Sequence, residues 1–362
     1  MSSVNVGILT FHDAANYGAV LQAYALQKSL QKLEANVEII DYQADFIKKS
    51  YNPYDMSGNK IKALARLIVY SKQLVERNRN FSDFGKKFYR LSNEKIKSAE
   101  ELKEYSKNYR TIVCGSDQIW NLDITEGDTT YYLPFDLGNT IKASYAGSFG
   151  NFDINRNLSS LLPLKDFKYG SCREDTSTKL INELIETNFE SHVDPTILLN
   201  KKEWDEVAEK DRIIDEPYVL IYTVKDPKNL YVEAINFAKK NGYRVVQIKN
   251  RGKQKEIEYL VNKTPSEFLS LFRDAQAVFT NSFHGTVFSL IFEKQFLCEL
   301  YASDGLPNTR SQALLKKLEI SRRYLEDGIE NLEDSVDWFN VKKNIEKERK
   351  KSTDYLSSIV DL

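Results

Sequence analysis

A chain of 362 residues is long enough for two domains, and its 41% hydrophobic and 12% aromatic content excludes a disordered protein. With 51 Lys+Arg against 52 Asp+Glu the net charge is -1, which excludes a broad nucleic-acid-binding surface, so no nucleic-acid partner is expected. No stretch approaches the ~18 consecutive apolar residues of a membrane span, and the opening MSSVNVGILTF has no leader pattern, so the expected location is cytoplasmic.

Residues 4–11 (VNVGILTF) read as a buried strand, followed by the polar turn HDAANYG. Residues 19–33 then place Leu21, Ala25, Leu26, Leu30 and Leu33 at helical spacing. With the strand VEIIDYQ (37–43) this makes a βαβ unit, which is parallel and right-handed. From 46 to 90 there are 11 Lys+Arg and 3 Asp+Glu, a net of +8 against -9 for the rest. Within it Ile61, Leu64, Leu67, Ile68, Leu74 and Val75 lie at helical spacing, with Lys60, Lys62, Arg66, Lys72 and Arg77 near the other face. The plainer reading is a packed helix with a solvated charged side; the sharper one is a helix that lies on an anionic membrane surface.

Further strand-like runs are TIVCGS (111–116) and IKASYAGSFG (141–150), and a helix is expected from after Asp175 to about Glu186. The charged stretch 195–217 reads as an interdomain connection. A second alternation follows: strands at 218–224, 243–249, 276–282 and 296–300, and helices at 230–242, 266–275 and 284–292. The fold class expected is α/β, two Rossmann-like domains facing a central cleft. The expected division is 1–200, with a basic helical insertion at about 46–90, then 215–325 and a helical tail over 326–362.

Cys114, Cys172 and Cys298 are odd in number without CxxC spacing, and His12, His192 and His284 are scattered. Neither a disulfide framework nor a metal site is expected. The 15 glycines are few, and Gly18, Gly115, Gly147, Gly150 and Gly285 fall at strand ends or helix starts, where ligands of open α/β sheets bind. In TNSFHGTVFSLIF (280–292) a strand turns into a helix at His284-Gly285. Such a helix start suits a phosphate or carboxylate, Gly285 allows a close ligand approach, and the helix end favours a neutral imidazole suited to proton transfer. The plain alternative is that Ser282 caps the helix and His284 is structural.

Asn16-Tyr17-Gly18 occupies the equivalent place in the first half and reads either as a phosphate or sugar site or as an ordinary turn. Ser116, Asp117, Gln118 and Trp120 mix small, acidic, amide and aromatic groups suited to a sugar; the alternative is a capped turn with a buried tryptophan. Arg173 and Arg310 each precede a helix and can hold an anion bidentately or pair with a neighbouring carboxylate. Asp194-Pro195-Thr196 reads as a structural turn.

Together NYGAVLQAYAL (16–26), VCGSDQIWN (113–121), SYAGSFG (144–150), Arg173-Glu174, VDPTILL (193–199) and NSFHGTVFSLIF (281–292) resemble the polysaccharide pyruvyltransferase family. The resemblance implies a GT-B-like fold. It implies transfer of a pyruvyl group from phosphoenolpyruvate, a co-substrate, to a sugar of a cell-surface or exopolysaccharide precursor, giving a pyruvate ketal and phosphate without another cofactor. By the same resemblance His284 is the acid or base, and Arg173 and Arg310, with Ser282 and Gly285, hold the donor. Ser282 stands where many members carry an arginine, so Arg310 with Arg173 is expected to take over the anion. The acceptor, a sugar or lipid-linked oligosaccharide, is expected near Asn16, Tyr17, Gly18, Ser116, Asp117, Gln118 and Trp120. A lipid-linked acceptor would give the basic 46–90 segment a role at the inner membrane surface.

Two rivals compete. One is a GT-B glycosyltransferase using a nucleotide sugar, for which Glu293 or Glu299 is the candidate ribose-binding carboxylate. The other is a non-catalytic carbohydrate-binding protein, against which the joint presence of His284, Gly285, Arg173 and Arg310 speaks.

Overall fold

The computed structural model describes residues 5–361 apart from 53–59, 250, 251, 253, 301, 304, 305, 308, 321, 329–331, 333 and 335; for 60–70, 156, 302, 303, 306, 307, 309 and 327 it gives the backbone alone. Lys60, Lys62 and Arg66 of the basic segment therefore lie outside the described side chains. The chain divides into two compact units: Met1–Leu74, Phe81–Leu198 and Lys347–Leu362 form the first, Val75–Asn80 and Leu199–Glu346 the second.

Unit 1 runs β1 (Asn5–Leu9), α1 (Tyr17–Gln31), β2 (Asn36–Tyr42), α2 (Asp45–Ser50), α3 (Lys60–Phe88, whose residues 75–80 count with unit 2) and β3 (Leu91–Ile96). It continues with α4 (Ala99–Tyr105), β4 (Thr111–Cys114), β5 (Ile141–Ser144), β6 (Ser171–Cys172), α5 (Asp175–Ile185), β7 (Glu190–Ser191) and α6 (Pro195–Leu198). Its main sheet has the order β3-β2-β1-β4-β5, parallel throughout, with Val6 of β1 opposite Val37 of β2 and Thr111 of β4. A central parallel strand is covered on both faces, which is why β1 and β4 are nearly continuous apolar runs. α1 starts at Tyr17 because the Asn16 side chain accepts the Ala19 N–H at 3.2 Å.

Unit 2 comprises α7 (Lys201–Asp205), β8 (Tyr218–Tyr222), α8 (Leu230–Asn241), β9 (Arg244–Ile248), β10 (Glu258–Leu260), α9 (Pro265–Asp274) and β11 (Ala277–Thr280). Then follow α10 (Phe283–Ile291), β12 (Gln295–Cys298), α11 (Thr309–Lys317) and α12 (Trp338–Val360), the last of which ends in unit 1. Its sheet order, β10-β9-β8-β11-β12, repeats the winding of unit 1, again all parallel. The charged stretch read as a connection contains a capping box between Asn200 and Glu203 and a fully buried Trp204, packed edge-on against Phe288 at 5.2 Å.

Several elements differ from the sequence expectation. β1 stops at Leu9 and β5 at Ser144, so residues 10–16 and 145–150 are loops at the carboxyl edge of the sheet. β3, α4 and β10 carry little apolar periodicity: β3 is an edge strand with three exposed residues in LSNEKI, and α4 buries only Leu102. All three cysteines are buried free thiols, and burial pushes Cys298 up to about 11. Among the described residues no helix is long and apolar enough to cross a membrane.

The end of α12 completes the core of unit 1. Tyr355 donates to the Ser144 carbonyl at 2.9 Å and its ring lies 4.3 Å from that of buried His192. Arg349 donates to the Ile197 carbonyl at 2.5 Å, while Leu356 and Ile359 are fully buried. Leu356→Ala is expected to lower the unfolding free energy by about 2–5 kcal/mol, read as a lower urea midpoint with the slope unchanged.

Candidate functional site

In unit 2 the carboxyl edge of the sheet carries the turn from β11 into α10. Ser282, extended at φ -99° and ψ 136°, caps α10 by accepting the Gly285 N–H at 3.3 Å. Thr280 locks the approach: its hydroxyl donates to the Tyr222 carbonyl at 2.6 Å and accepts the Ser282 N–H at 3.0 Å. A Cβ on Gly285 would lie 2.1 Å from that hydroxyl. Strand-to-helix packing by itself thus requires a glycine here, and the Ser282 oxygen caps its own helix. His284 is the second residue of α10, at its positive end, buried and edge-on to Phe283.

Arg310 is half-buried on the second residue of α11, which packs against α10. The hydroxyls of Thr286 on α10 and Ser311 on α11 both favour the Cys298 thiolate, although burial dominates and raises that thiol.

The turn from β8 into α8 is where a dinucleotide fold seats a pyrophosphate. Here Glu299, 3% exposed, reaches over from the end of β12 and fills it. Its carboxylate accepts the N–H groups of Lys228, Asn229 and Leu230 at 2.7–3.2 Å. Asn281 fastens the same loop, accepting from Val224 N–H at 2.9 Å and donating to the Lys225 carbonyl at 3.0 Å. Glu293 is ion-paired with Lys342 at 2.8 Å. The buried Glu299 carboxylate is thus engaged by the α8 amides and is not open to a ribose, which corrects that expectation.

In unit 1 the loops after β1, β4 and β5 interlock. Gln22 donates to Thr10 Oγ1 at 2.8 Å and accepts the Ser116 N–H at 3.0 Å, and Ser116 Oγ donates to the Ala146 carbonyl at 2.8 Å. Ser116 is fully buried and holds the loops together. Trp120 is fully buried too: its ring lies among Phe149, Tyr132 and Phe189, its Nε1 donates to the Tyr131 carbonyl, and a Cβ on Gly147 would meet it at 2.7 Å. It offers no face to a sugar, the capped-turn alternative. Tyr17 is buried against Phe81 and Gly18 within α1.

The polar groups at the rim are exposed Asn16 and half-buried Asp117 and Gln118. Asp117 has φ 73°, and Ala146 on the next loop has φ 47°, conformations that cost energy and concentrate at functional sites. His12, buried three residues beyond β1, pairs with Asp41 of β2 at 3.1 Å. In the sequence it is one of three scattered histidines, and its position just past an apolar strand is the only signal it carries there.

Arg173 is buried between two carboxylates, donating to Glu174 at 3.1 Å and Asp194 at 2.8 Å. Burial would lower its pKa, but Glu174, Asp194 and nearby Asp117 raise it overall. Ser148 donates to Glu174 at 2.7 Å and Thr196 to Asp194 at 2.6 Å. One cation against those carboxylates makes the cluster acidic, so Arg173 braces the rim loops and does not by itself attract an anion. Among the described residues no group of three His, Cys, Asp or Glu could hold a metal ion.

A model of the family described as polysaccharide pyruvyl transferase matches residues 16–303. The chain belongs to this family. The matched span includes Asn16, Asp117, Arg173 and His284, while Arg310 lies beyond it. Comparison with curated proteins gave no match. Among solved structures, the UDP-GlcNAc 2-epimerase of Methanocaldococcus jannaschii in complex with UDP-GlcNAc and UDP is similar over 99% of each chain, at 14% identity and TM-score 0.51. A Listeria monocytogenes protein described as a UDP-N-acetylglucosamine 2-epimerase is similar over 98% of this chain and 91% of that one, at 9% identity and TM-score 0.53. At such identity the likeness is one of fold: this chain has a GT-B-like architecture of two Rossmann-like units.

Removing Arg173 leaves two buried carboxylates uncompensated. Arg173→Met is expected to destabilise the protein by about 3–5 kcal/mol, seen in chemical denaturation; unchanged stability with lost anion binding would instead make Arg173 a ligand-binding residue.

Proposed function

We propose that this chain moves the pyruvyl group of phosphoenolpyruvate onto a pair of sugar hydroxyls, forming a pyruvate ketal and releasing phosphate. The observation that carries the choice of donor is Glu299. With its carboxylate on the α8 amides, the diphosphate seat of unit 2 is filled by the protein itself. The positive end of α10 then serves a compact donor with a single phosphate and a carboxylate. Arg310, on the helix packed beside α10, is the cation proposed to complete that anion seat.

The chemistry asks for little more. Protonation of the methylene carbon makes C2 electrophilic, a hydroxyl adds there, phosphate leaves, and the second hydroxyl closes the ketal. His284 is proposed to move one of these protons. Unit 1 takes the sugar, free or lipid-linked, at the rim formed by Asn16, Asp117 and Gln118. For a lipid-linked acceptor the basic 46–90 stretch is proposed to rest on an anionic membrane surface.

A thermal-shift panel with phosphoenolpyruvate, UDP, GDP, CDP and CMP tests the donor. At ~100 times its dissociation constant a ligand stabilises by about 2.7 kcal/mol, several degrees for units of this size. Phosphoenolpyruvate alone is expected to raise the midpoint, with or without EDTA, and less in Arg310→Ala and His284→Ala. A shift with one nucleotide and none with phosphoenolpyruvate would replace this reading by a nucleotide-sugar glycosyltransferase.

A further inference from the structure

We propose that Asp117 and Gln118 together hold the acceptor as an uncharged sugar diol, Asp117 taking the proton of the hydroxyl that attacks the donor and Gln118 donating to the second hydroxyl. This rests on the pyruvyl-transfer reading above and gives the rim of unit 1 a base and a class of acceptor. Both residues stand in the loop after β4, at the carboxyl edge of the sheet, the side on which parallel sheets bind ligands. Both side chains are half-buried, so part of each is accessible.

Hydrogen bonding within the turn leaves one acceptor and one donor unused. Asp117 Oδ1 accepts the Gln118 N–H at 2.9 Å, while Oδ2 has no hydrogen-bond partner among the described residues. Asn121 Oδ1 accepts the N–H groups of Asp123 and Ile124 at 3.1 and 3.3 Å, so the Asn121 atom facing Gln118 is the Nδ2 donor. The side-chain oxygen of Gln118 accepts from it at 3.3 Å. Gln118 Nε2 is then the remaining donor, without a partner among the described residues. A carboxylate oxygen beside an amide donor matches two hydroxyls of one sugar: the first donates to Asp117, the second accepts from Gln118.

A merely solvated turn would not need to be held so firmly. Asp117 keeps φ 73° while its carbonyl accepts the Ser148 N–H at 2.9 Å, and Trp120 of the same turn is fully buried. Gly150 clears space for the carboxamide: its φ is 59°, and a Cβ there would fall 1.8 Å from Gln118 Oε1. A non-glycine residue at positive φ costs stability, and what this one secures is the placing of two polar atoms that the described fold does not use.

The other carboxylates of this edge are less suited. Glu174 and Asp194 are buried on Arg173 and Asp41 is buried on His12. Asp13 is exposed but has no hydrogen bond among the described residues to orient it. The neighbourhood also selects the acceptor. Asp117, Glu174 and Asp194 surround the single cation Arg173, and Glu174 Oε2 is buried without a partner among the described residues. The net charge is negative, which repels a uronate or a phosphorylated sugar and admits a neutral one.

In the reaction the attacking hydroxyl oxygen bonds to C2 of the enolpyruvyl group and its proton passes to Asp117. The C=C pair takes up a proton at the methylene carbon, which becomes a methyl. The second hydroxyl oxygen displaces phosphate, which keeps the C–O pair. Of the two hydroxyl protons given up, one replaces that spent on the methyl and the other leaves with phosphate.

Asp117→Asn and Gln118→Met in the full chain test this, with phosphate release from phosphoenolpyruvate measured on the methyl glycosides of galactose, glucose, mannose and glucuronic acid. Asparagine tolerates the left-handed conformation and can still accept the Gln118 N–H. Asp117→Asn is therefore expected to keep its urea midpoint and its stabilisation by phosphoenolpyruvate while kcat falls by about 10²–10⁴-fold. Gln118→Met should raise KM for a neutral glycoside by about 3–10-fold and change kcat less. A purely structural turn would instead lose stability in both variants, with kcat and KM unchanged. Independently of turnover, the side-chain amide ¹⁵N signal of Gln118, assigned by comparison with Gln118→Met, should move when a neutral glycoside is added and stay when methyl glucuronide is. A signal that none of the neutral glycosides moves, a glucuronide that moves it as readily, or wild-type phosphate release by Asp117→Asn overturns the proposal. Absence of any response to phosphoenolpyruvate sinks the donor reading instead, and the amide signal still decides whether this turn meets a sugar.

Discussion

A parallel strand cannot be joined to its neighbour by a hairpin, and both five-stranded sheets of this chain are parallel throughout. Each strand must therefore be followed by a crossover, and every such crossover leaves from the same edge. The loop with His12, the Asp117 turn, the 145–150 loop, the start of α10 and the α8 amides all owe their places to that requirement. Because both sheets wind outward from a central strand in the same order, each unit exposes one polar edge of this kind.

At those edges the chain has disposed of most of its own charge. Glu299 satisfies the amides of α8, Glu174 and Asp194 clasp Arg173, and Asp41 holds His12. Buried carboxylates without partners would be costly, so each is matched by donors fixed in the fold. The end of α10, like that of α1, is capped by a neutral side chain, so the positive end of that helix is not neutralised by its own cap.

The winding of both sheets was legible because buried parallel strands are written as apolar runs and α1, α8, α9 and α10 as periodic ones. The edge strand β3 and the exposed α4 were not, since an element with little to bury leaves little pattern. At the site, the location of the motifs was readable but their reasons were not. Trp120 and Gly285 sit next to polar residues in sequence, and only tertiary packing decides that one fills a core and the other makes room for Thr280. The His12–Asp41 pair joins residues 29 positions apart, a link carried by strand register and absent from local sequence.

The return of α12 to unit 1 has a consequence for the order in which the protein can be made. The buried faces of Tyr145, His192 and Ser144 are covered by Tyr355 and its neighbours, more than 150 residues later in the chain. A ribosome finishes every strand of unit 2 before it supplies that cover. Unit 1, although begun first, must wait with an open flank until nearly the whole chain has been made, and in that interval the exposed apolar surface is a natural target for chaperones.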